Sequence, residues 1–217
     1  IIHIARPERR NALDKAGWQG IRDAVEARPD AARSIIITGG TKVFSAGMDL
    51  KMDNPLLMEV GAAIASRDAA QVRDIIVWLK HCLAALREAP VPTIAAIEGP
   101  CLGGGLEVAL HCDVRIASDS ALFAMPEPRL GFVADVGGTT FLKRLIGPGR
   151  ASWLITSGRR IDADQAERWG LVEQRCGAGT ALEAALALSQ DMALGAPVAM
   201  ESSLSLLRAE PPGELDN

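Results

Sequence analysis

The chain has 217 residues, of which 48% are hydrophobic and 23% are charged, and its formal net charge is −4. This composition is typical of a folded domain with a sizeable core and excludes a globally disordered chain. The net negative charge, the scarcity of aromatic residues and the lack of a long basic run argue against nucleic-acid binding. No apolar run reaches the ~18 residues of a membrane-spanning helix, so we predict no nucleic-acid partner and no membrane partner.

The cysteines and histidines give no sign of a metal site. The four cysteines are far apart and form no CxxC pair, so we expect free thiols in a reducing compartment, the cytoplasm. The three histidines show no metal-ligand spacing, and we predict no metal and no separate cofactor. The chain begins with Ile1 inside a strand-like run, so we expect its natural N-terminus, with any targeting segment, to lie upstream.

Strand and helix patterns alternate from the start of the chain. Short β-branched runs at Ile1–Ala5 and Ser34–Thr38 predict two strands, and the apolar spacing of Asp14–Ala27 predicts a helix between them. Residues 39–67 are predicted to be irregular at first, around Gly39, Gly40 and Gly47. Asp68–Glu88 has the clearest helical spacing and is ended by two prolines. This order of elements predicts a layered α/β fold.

The middle of the chain combines short strands with a glycine-rich turn. Thr93–Ile97 predicts a buried strand, Glu98–Gly103 a turn, and residues 104–112 a helix. Val114–Ala117 and Leu122–Ala124 predict two more short strands, which are followed by a loop rich in glycine and proline.

Strands are predicted to give way to helices near residue 148. The helical segments beyond that point are Asp162–Arg168, Thr180–Ala193 and Pro197–Arg208. We therefore divide the chain into a core, residues 1–147, and a helical C-terminal region, residues 148–217, which we expect to be incomplete.

Two segments place free backbone amides beside small residues. Val43–Lys51 follows a strand and a glycine-rich turn, and its small residues at 45–47 would let a ligand approach the backbone. Glu98–Glu107 runs from a strand through three glycines into a helix, whose first amides lack intrahelical partners. Such amides can stabilise a developing oxyanion. The glycine spacing fits neither the dinucleotide fingerprint nor the Walker motif, and an ordinary loop explains either segment alone.

Three acidic residues could transfer protons, and each also has a purely structural interpretation. Glu107 falls in the first turn of the predicted helix, which is a favourable place for a negative charge. Glu127 lies in the proline-flanked loop, where a solvated carboxylate is ordinary. Asp135 precedes a Gly-Gly helix start and would serve as its N-cap. In an apolar pocket, by contrast, a carboxyl has a raised pKa and is suited to acid–base catalysis.

Four motifs, in this order and spacing, resemble the enoyl-CoA hydratase/isomerase (crotonase) family. They are FSAGMDL at 44–50, GPCLGGGLEVALHCDVRIAS at 99–118, FAMPEPRLGFVADVGGT at 123–139 and GRRIDADQAERWGLV at 158–172. The resemblance implies an α/β fold, a crotonase-like spiral of ββα units with a helical C-terminal region. It also implies an acyl-CoA thioester as substrate, so that coenzyme A enters as part of the substrate.

The resemblance assigns roles to the residues at matching positions. Met48 and Gly104 match the two residues whose backbone amides form the oxyanion hole. Glu107 and Glu127 match both catalytic glutamates of enoyl-CoA hydratases, which hold the water that adds to the double bond. The residues at positions that match substrate-binding segments are Arg10, Ala12, Leu13, Ala46, Asp49, Leu50 and Lys51.

The pair of glutamates favours an enoyl-CoA hydratase. Asp135 keeps an alternative open, because dienoyl-CoA isomerases carry an Asp in a similar ADVG run and use it with the residue that matches Glu127. A third alternative, of another class, is a non-catalytic CoA-binding or assembly protein. The resemblance further implies homotrimers or hexamers that are dimers of trimers. It marks residues 52–67 as the variable part of the family, which we expect to be disordered without ligand.

Overall fold

The computed structural model describes residues 1–209, which form an α/β fold with two sheets. Five strands form a larger, fully parallel sheet, and three form a smaller sheet in which one strand runs antiparallel. The predicted fold class is confirmed. In chain order the strands are β1 (Ile2–His3), β2 (Ile35–Thr38), β3 (Thr93–Ile97), β4 (Pro100–Leu102), β5 (Val114–Ser118), β6 (Leu122–Ala124), β7 (Ile161–Asp162) and β8 (Gln174–Cys176).

The central strands of the larger sheet are buried along their whole length. Every residue of β2 and β3 is buried, as expected for the apolar runs IIIT and TIAAI in a parallel sheet covered on both faces. The strand order is β1-β2-β3-β5-β8, with Ile36 paired to Ile94. Because all five strands run the same way, the loops that leave β2 and β3 meet at one edge, which brings the two amide segments together.

Helices cover the sheets, and three of the predicted ones begin at an aspartate cap. Asp14 accepts a hydrogen bond from Gly17 N at 2.8 Å, and Asp68 accepts one from Gln71 N at 2.9 Å. The α-helices of the described chain are α1 (Lys15–Glu26), α2 (Pro55–Ala65), α3 (Ala69–Glu88), α4 (Gly104–Leu110), α5 (Gly138–Ser157), α6 (Ala163–Trp169), α7 (Ala181–Ala193) and α8 (Pro197–Arg208).

Helix α2 lies within residues 52–67, which are expected to be disordered without ligand, so that prediction is wrong. Asn54 begins the helix by accepting a hydrogen bond from Leu56 N at 3.1 Å, and Pro55 occupies the first helical position. The segment PLLMEVGAAIA has only one charged residue, so no polar face marks its helical period. It packs against α3.

The turn predicted at Glu98–Gly103 contains strand β4, so this prediction is also wrong. Strand β4 runs parallel to β6, with Cys101 opposite Phe123. A strand of three residues is too short for its alternation to be recognised. Directly after it, Gly103 adopts φ +52 and turns the chain into α4, all seven residues of which are buried.

The C-terminal part contains the predicted helices and also two strands. Strand β7 pairs antiparallel with β6, and β8 pairs parallel with β5, so the chain beyond residue 148 contributes to both sheets. Helix α5 spans the proposed boundary and is kinked at Gly147, which has φ +78 and ψ 160 and precedes Pro148. The division of the chain at residue 147 stays a prediction. The last eight residues of the predicted C-terminal region, 210–217, lie outside the described part of the chain.

All four cysteines are free thiols, as predicted, and three of them, Cys82, Cys101 and Cys112, are buried. Among the described helices we find none whose length and apolarity would let it cross a bilayer.

Candidate active site

An asparagine holds the segment after β2 in place. Asn11 is 3% exposed and has φ +55. Its Nδ2 donates to Gly39 O at 2.8 Å and to Val43 O at 2.7 Å, and its Oδ1 accepts from Arg6 N at 3.0 Å. Ser45 Oγ donates to Asn11 O at 2.8 Å. These bonds fix the backbone that leads to the first predicted oxyanion amide.

We expect Asn11→Ala to lower the free energy of unfolding by about 3 kcal/mol, because three partly buried backbone groups lose their partners. Arg10 is the matched control, since it has a similar φ of +53 and an exposed side chain. Arg10→Ala should cost less than about 1 kcal/mol. Urea unfolding measures both variants, and equal losses would contradict the role given to the Asn11 side chain.

The amides of Met48 and Gly104 line one cavity. A Cβ built on Gly104 would lie 3.5 Å from Met48 N, so the two peptides are close neighbours. Gly47, at φ +89, permits this approach, because a Cβ there would lie 2.7 Å from Leu102 O. Within residues 1–209 neither amide donates to a backbone acceptor. Two such amides can donate to a single ligand oxygen.

Glu107 is the most deeply buried acid of the site, at 3% exposure. Its Oε1 accepts hydrogen bonds from Val136 N at 2.9 Å and Gly138 N at 3.0 Å, so it bridges α4 to the start of α5. Burial raises the pKa of Glu107 to about 8; these amides oppose the rise, while the charges of Glu127 and Asp135 add to it. The purely structural interpretation of Glu107 requires a negative charge near the helix start. It does not explain a carboxyl whose pKa is raised by burial.

Glu127 opens a short 3₁₀ helix directly after β6. Its carboxyl packs on Gly103, where an added Cβ would lie 2.4 Å from Glu127 Oε1. Its Oε2 is buried and has no hydrogen-bond partner within residues 1–209. Burial raises the pKa of Glu127 to about 7, its own backbone amide lowers it, and the charge of Asp135 raises it. The interpretation of Glu127 as a solvated loop charge is therefore wrong.

Asp135 is a third, half-buried carboxyl on the same cavity. Burial raises its pKa, and its own backbone amide and the charge of Lys80 oppose that rise. The N-cap interpretation is wrong, because Gly137 is the N-cap residue of α5 and the first amide of the helix, Gly138 N, donates to Glu107. Asp135 thus lines the cavity, and its charge acts on both glutamates.

The cavity has a volume of about 330 Å³ and brings together all five residues predicted as catalytic or oxyanion-forming. Apart from the three carboxyls, no charged side chain of the described residues lines it. Its aliphatic wall excludes water from the carboxyls, which is the physical cause of their raised pKa values. The wall side chains that sequence analysis did not single out include Val60 and Ile64 of α2, Val72, Ile75, Ile76 and Leu79 of α3, and Leu130, Phe132 and Val133.

The predicted substrate-binding residues divide into two groups. Ala46 and Leu50 line the cavity. Ala12 and Leu13 are buried outside it, and Leu13 forms an isolated bridge with Met48 that supports the amide segment from behind.

Three charged members of the predicted set also lie outside the cavity wall. Asp49 is buried, forms an ion pair with Arg6 at 3.1 Å and accepts a hydrogen bond from Lys51 N at 3.1 Å. The Asp49 carboxylate therefore interacts with Arg6 and with the amide of Lys51, within the protein. Arg10 and Lys51 are exposed, and their part in substrate binding stays a prediction.

Trp18 belongs to the apolar, buried face of α1 and also lines the cavity. Its Cη2 and Cζ2 lie 2.9 and 3.0 Å from the position of a Cβ on Gly104, so the indole ring packs directly behind this amide. An aromatic residue on an apolar helix face carries no sequence signal for such a position.

Comparison with known proteins agrees with this geometry. The profile of the enoyl-CoA hydratase/isomerase family matches residues 1–210. The mouse mitochondrial Δ(3,5)-Δ(2,4)-dienoyl-CoA isomerase is 33% identical over 206 residues, which cover 93% of this chain and 63% of that enzyme. This chain thus spans less than two thirds of the length of that relative.

Two solved structures are similar over most of the chain. The enoyl-CoA hydratase from Bacillus anthracis is 33% identical with a TM-score of 0.81, covering 94% of this chain and 76% of that one. A Thermobifida fusca protein in complex with acetoacetyl-CoA is 32% identical with a TM-score of 0.85, covering 98% and 84%. Motifs, fold and comparisons agree, and the chain belongs to the enoyl-CoA hydratase/isomerase family.

Proposed function

We propose that this chain adds water across the 2,3 double bond of trans-2-enoyl-CoA thioesters. One observation carries the proposal: Glu107 and Glu127, both with a raised pKa, line a single cavity with the amides of Met48 and Gly104. A CoA thioester as substrate is supported by the related structure that contains acetoacetyl-CoA. No further cofactor is needed, because coenzyme A arrives as part of the substrate.

In this proposal the thioester carbonyl oxygen accepts hydrogen bonds from Met48 N and Gly104 N. When water adds at C3, electrons move through the double bond onto this oxygen, and an enolate forms. Met48 and Gly104 both line the cavity, and in this proposal their amides are in place before the substrate binds, so that stabilising the enolate needs no reorganisation of the protein. By comparison with other oxyanion holes, each donor contributes about 3 kcal/mol to the transition state.

The two glutamates handle the protons. One carboxylate accepts a proton from the water as its oxygen bonds to C3, and the other carboxyl gives its proton to C2. The pair ends the cycle with the same number of protons with which it began. This mechanism requires the pair to hold one proton near neutral pH, which the raised pKa values of Glu107 and Glu127 allow.

The pH profile of kcat/KM is expected to be bell-shaped. Below pH about 7 the pair of glutamates holds two protons and lacks a base, and above pH about 8 it holds none and lacks an acid. Activity should therefore rise through pH 7 and fall beyond pH 8. Rates of crotonyl-CoA hydration across this range measure the profile.

Asp135→Asn provides the matched test of the profile. The negative charge of Asp135 raises the pKa of both glutamates, so its removal should move both limbs to lower pH. Unmoved limbs would show that the profile reports other groups.

A second candidate function is the isomerisation of dienoyl-CoA, and the position of Asp135 favours it. Asp135 and Glu127 line the same cavity, and the charge of one raises the pKa of the other. Two carboxyls could remove a proton at one end of a conjugated system and return one at the other end. The mouse relative named above is a dienoyl-CoA isomerase.

One set of assays separates the two functions. The protein is given crotonyl-CoA and a 3,5-dienoyl-CoA, first as wild type and then as Asp135→Asn. A hydratase converts crotonyl-CoA faster and keeps its preference in the variant. An isomerase converts the dienoyl-CoA faster and loses that activity in the variant.

A non-catalytic CoA-binding or assembly role is the remaining alternative. An acyl-CoA at a hundred times its dissociation constant stabilises the folded state by about 2.7 kcal/mol and raises the melting temperature. A raised melting temperature without turnover of either substrate would support this alternative against both enzymes.

We also propose a cytoplasmic trimer, or a hexamer built from two trimers. The four free thiols support a reducing compartment. Large apolar side chains exposed near the end of the described chain support burial between copies; they are Leu194, Val198, Leu206 and Leu207. Light scattering on the purified protein measures the assembly, and cell fractionation tests the compartment.

A further inference from the structure

We infer that the cavity selects long acyl chains, whose distal carbons lie on an aliphatic surface at its mouth. This inference builds on the proposed action on acyl-CoA thioesters. The surface consists of four side chains that line the cavity and are nevertheless exposed to solvent. This aliphatic rim is formed by Leu50, Ile64, Leu130 and Val133.

The four side chains of the rim line the cavity and are at the same time exposed to solvent. Their exposed fractions range from 46% to 66%. They come from three places in the chain: the segment after Met48, helix α2, and the loop that follows Glu127. Apolar side chains gathered around one opening lower the free energy of binding only when an apolar group covers them.

The size of the cavity limits what it can enclose. A volume of about 330 Å³ lies at the lower end of the range of small-molecule sites, roughly 300 to 1,000 Å³. The thioester, C2, C3 and a water must share this space beside three carboxyls. The more distal carbons of a long chain therefore have to continue past the rim.

The chemistry of the wall identifies the occupant as an aliphatic chain. Beyond the three carboxyls, the path to the rim is bounded by Val72 and Ile76 of α3 and by Val60 of α2. No cationic side chain of the described residues lines it, so a chain with a terminal carboxylate would have no partner. Because rim and cavity are continuous, the bound acyl chain itself reaches the rim.

The expected effect is a rise of kcat/KM with chain length. Complete burial of one methylene favours binding about fourfold, so a methylene half covered by the rim should contribute about twofold. From hexenoyl-CoA to decenoyl-CoA, four methylenes longer, the gain should be about 16-fold. Crotonyl-CoA is too short to use the rim.

The experiment compares two rim variants with two control variants. The controls lie on α2 and α3, two of the helices that line the cavity, but outside the cavity itself. Ile64→Ser and Val133→Ser remove apolar area from the rim. Met58→Ser removes it from α2 at a side chain that is 50% exposed, against 54% for Ile64, but does not line the cavity. Val77→Ser does the same on α3. For each protein kcat/KM is measured with crotonyl-, hexenoyl-, decenoyl- and dodecenoyl-CoA.

The ratio of decenoyl-CoA to crotonyl-CoA activity should fall about twofold in each rim variant, the share of one side chain in four, and stay at the wild-type value in both controls. A flat chain-length series in the wild type, or an equal fall in Met58→Ser, would overturn the inference. Light scattering adds a further outcome. If Ile64→Ser changes the mass of the assembly and leaves the ratio unchanged, the rim contacts a second copy instead of an acyl chain.

Binding data keep this inference separate from the proposed reaction. The dissociation constants of butyryl-CoA and decanoyl-CoA, measured by calorimetry, report on the rim without turnover. Tighter binding of decanoyl-CoA without hydration of any enoyl-CoA would support the rim and reject the hydratase. Hydration of crotonyl-CoA with equal binding of both ligands would support the hydratase and reject the rim.

Discussion

Replacing Glu127 by glutamine is expected to lower kcat for crotonyl-CoA hydration about a thousandfold, in the middle of the range for general acid–base catalysis. The amide keeps the shape of the side chain against Gly103 but can no longer carry the transferred proton. The Oε2 atom of Glu127 is buried and has no protein partner within residues 1–209, so it is the oxygen available to carry the proton.

The same substitution should stabilise the fold at high pH. The folded-state pKa of Glu127, about 7, lies above its ordinary value of 4.5, so ionisation of this carboxyl destabilises the folded state as the pH rises through 7. Glu127→Gln should therefore have a higher melting temperature than the wild type at pH 8 and a similar one at pH 4. A loss of activity together with a gain in stability separates a catalytic role from damage to the fold.

Glu183→Gln is the matched control, because Glu183 is an exposed carboxylate in the first turn of α7. Its kcat should stay within about twofold of the wild type. If Glu127→Gln reduced kcat less than about tenfold, the proposed proton transfer by this residue would be wrong.

Replacing Gly104 by alanine is the second substitution with a large expected effect, a fall in kcat of about a hundredfold or more. The added Cβ would lie 2.9 Å from Trp18 Cη2 and 3.5 Å from Met48 N. Since the indole ring is buried, the peptide of Gly104 has to move, and its amide no longer meets the carbonyl oxygen. The substitution fails because the Cβ has no room, and not because of backbone strain, since Gly104 does not have a positive φ.

Gly20→Ala is the control, since it lies on the same helix as Trp18 and an added Cβ there meets no atom within 4 Å. Its activity should be unchanged, and its stability should rise by about 0.5–1 kcal/mol because alanine favours the helix. Steady-state kinetics with crotonyl-CoA compares the two variants. Comparable kcat values for Gly104→Ala and the wild type would refute the oxyanion role of this amide.

The elements with a strong period could be predicted from the sequence, and those without one could not. Asp68–Glu88 has a full apolar stripe and is observed as α3 almost residue for residue. Helix α2 lacks a polar face, and β4 has three residues, so neither offers a pattern that local analysis can recognise. Tertiary contacts stabilise both elements: α2 packs against α3, and β4 pairs with β6. The local sequence alone does not indicate either contact.

The candidate site shows the same limit. The motifs identified Glu107, Glu127 and the two amides by position, because their spacing is specific to one family. The close contact between Gly103 and Glu127 and the packing of Trp18 behind Gly104 depend on distant segments meeting in space. The carboxyl pKa values follow from that packing, so only the structure could distinguish a buried acid from a solvated one.

Strand β8 completes the larger sheet from far along the chain, pairing Gln174 with Ile116 of β5. While the protein is being synthesised, β5 therefore presents an open edge from the time it forms until residue 176 has left the ribosome. Unpaired parallel edges attract other strands, and pairing over a long sequence separation is slow. Nascent chains stalled between β5 and β8 should accordingly be clients of holding chaperones, whereas chains released after β8 should not.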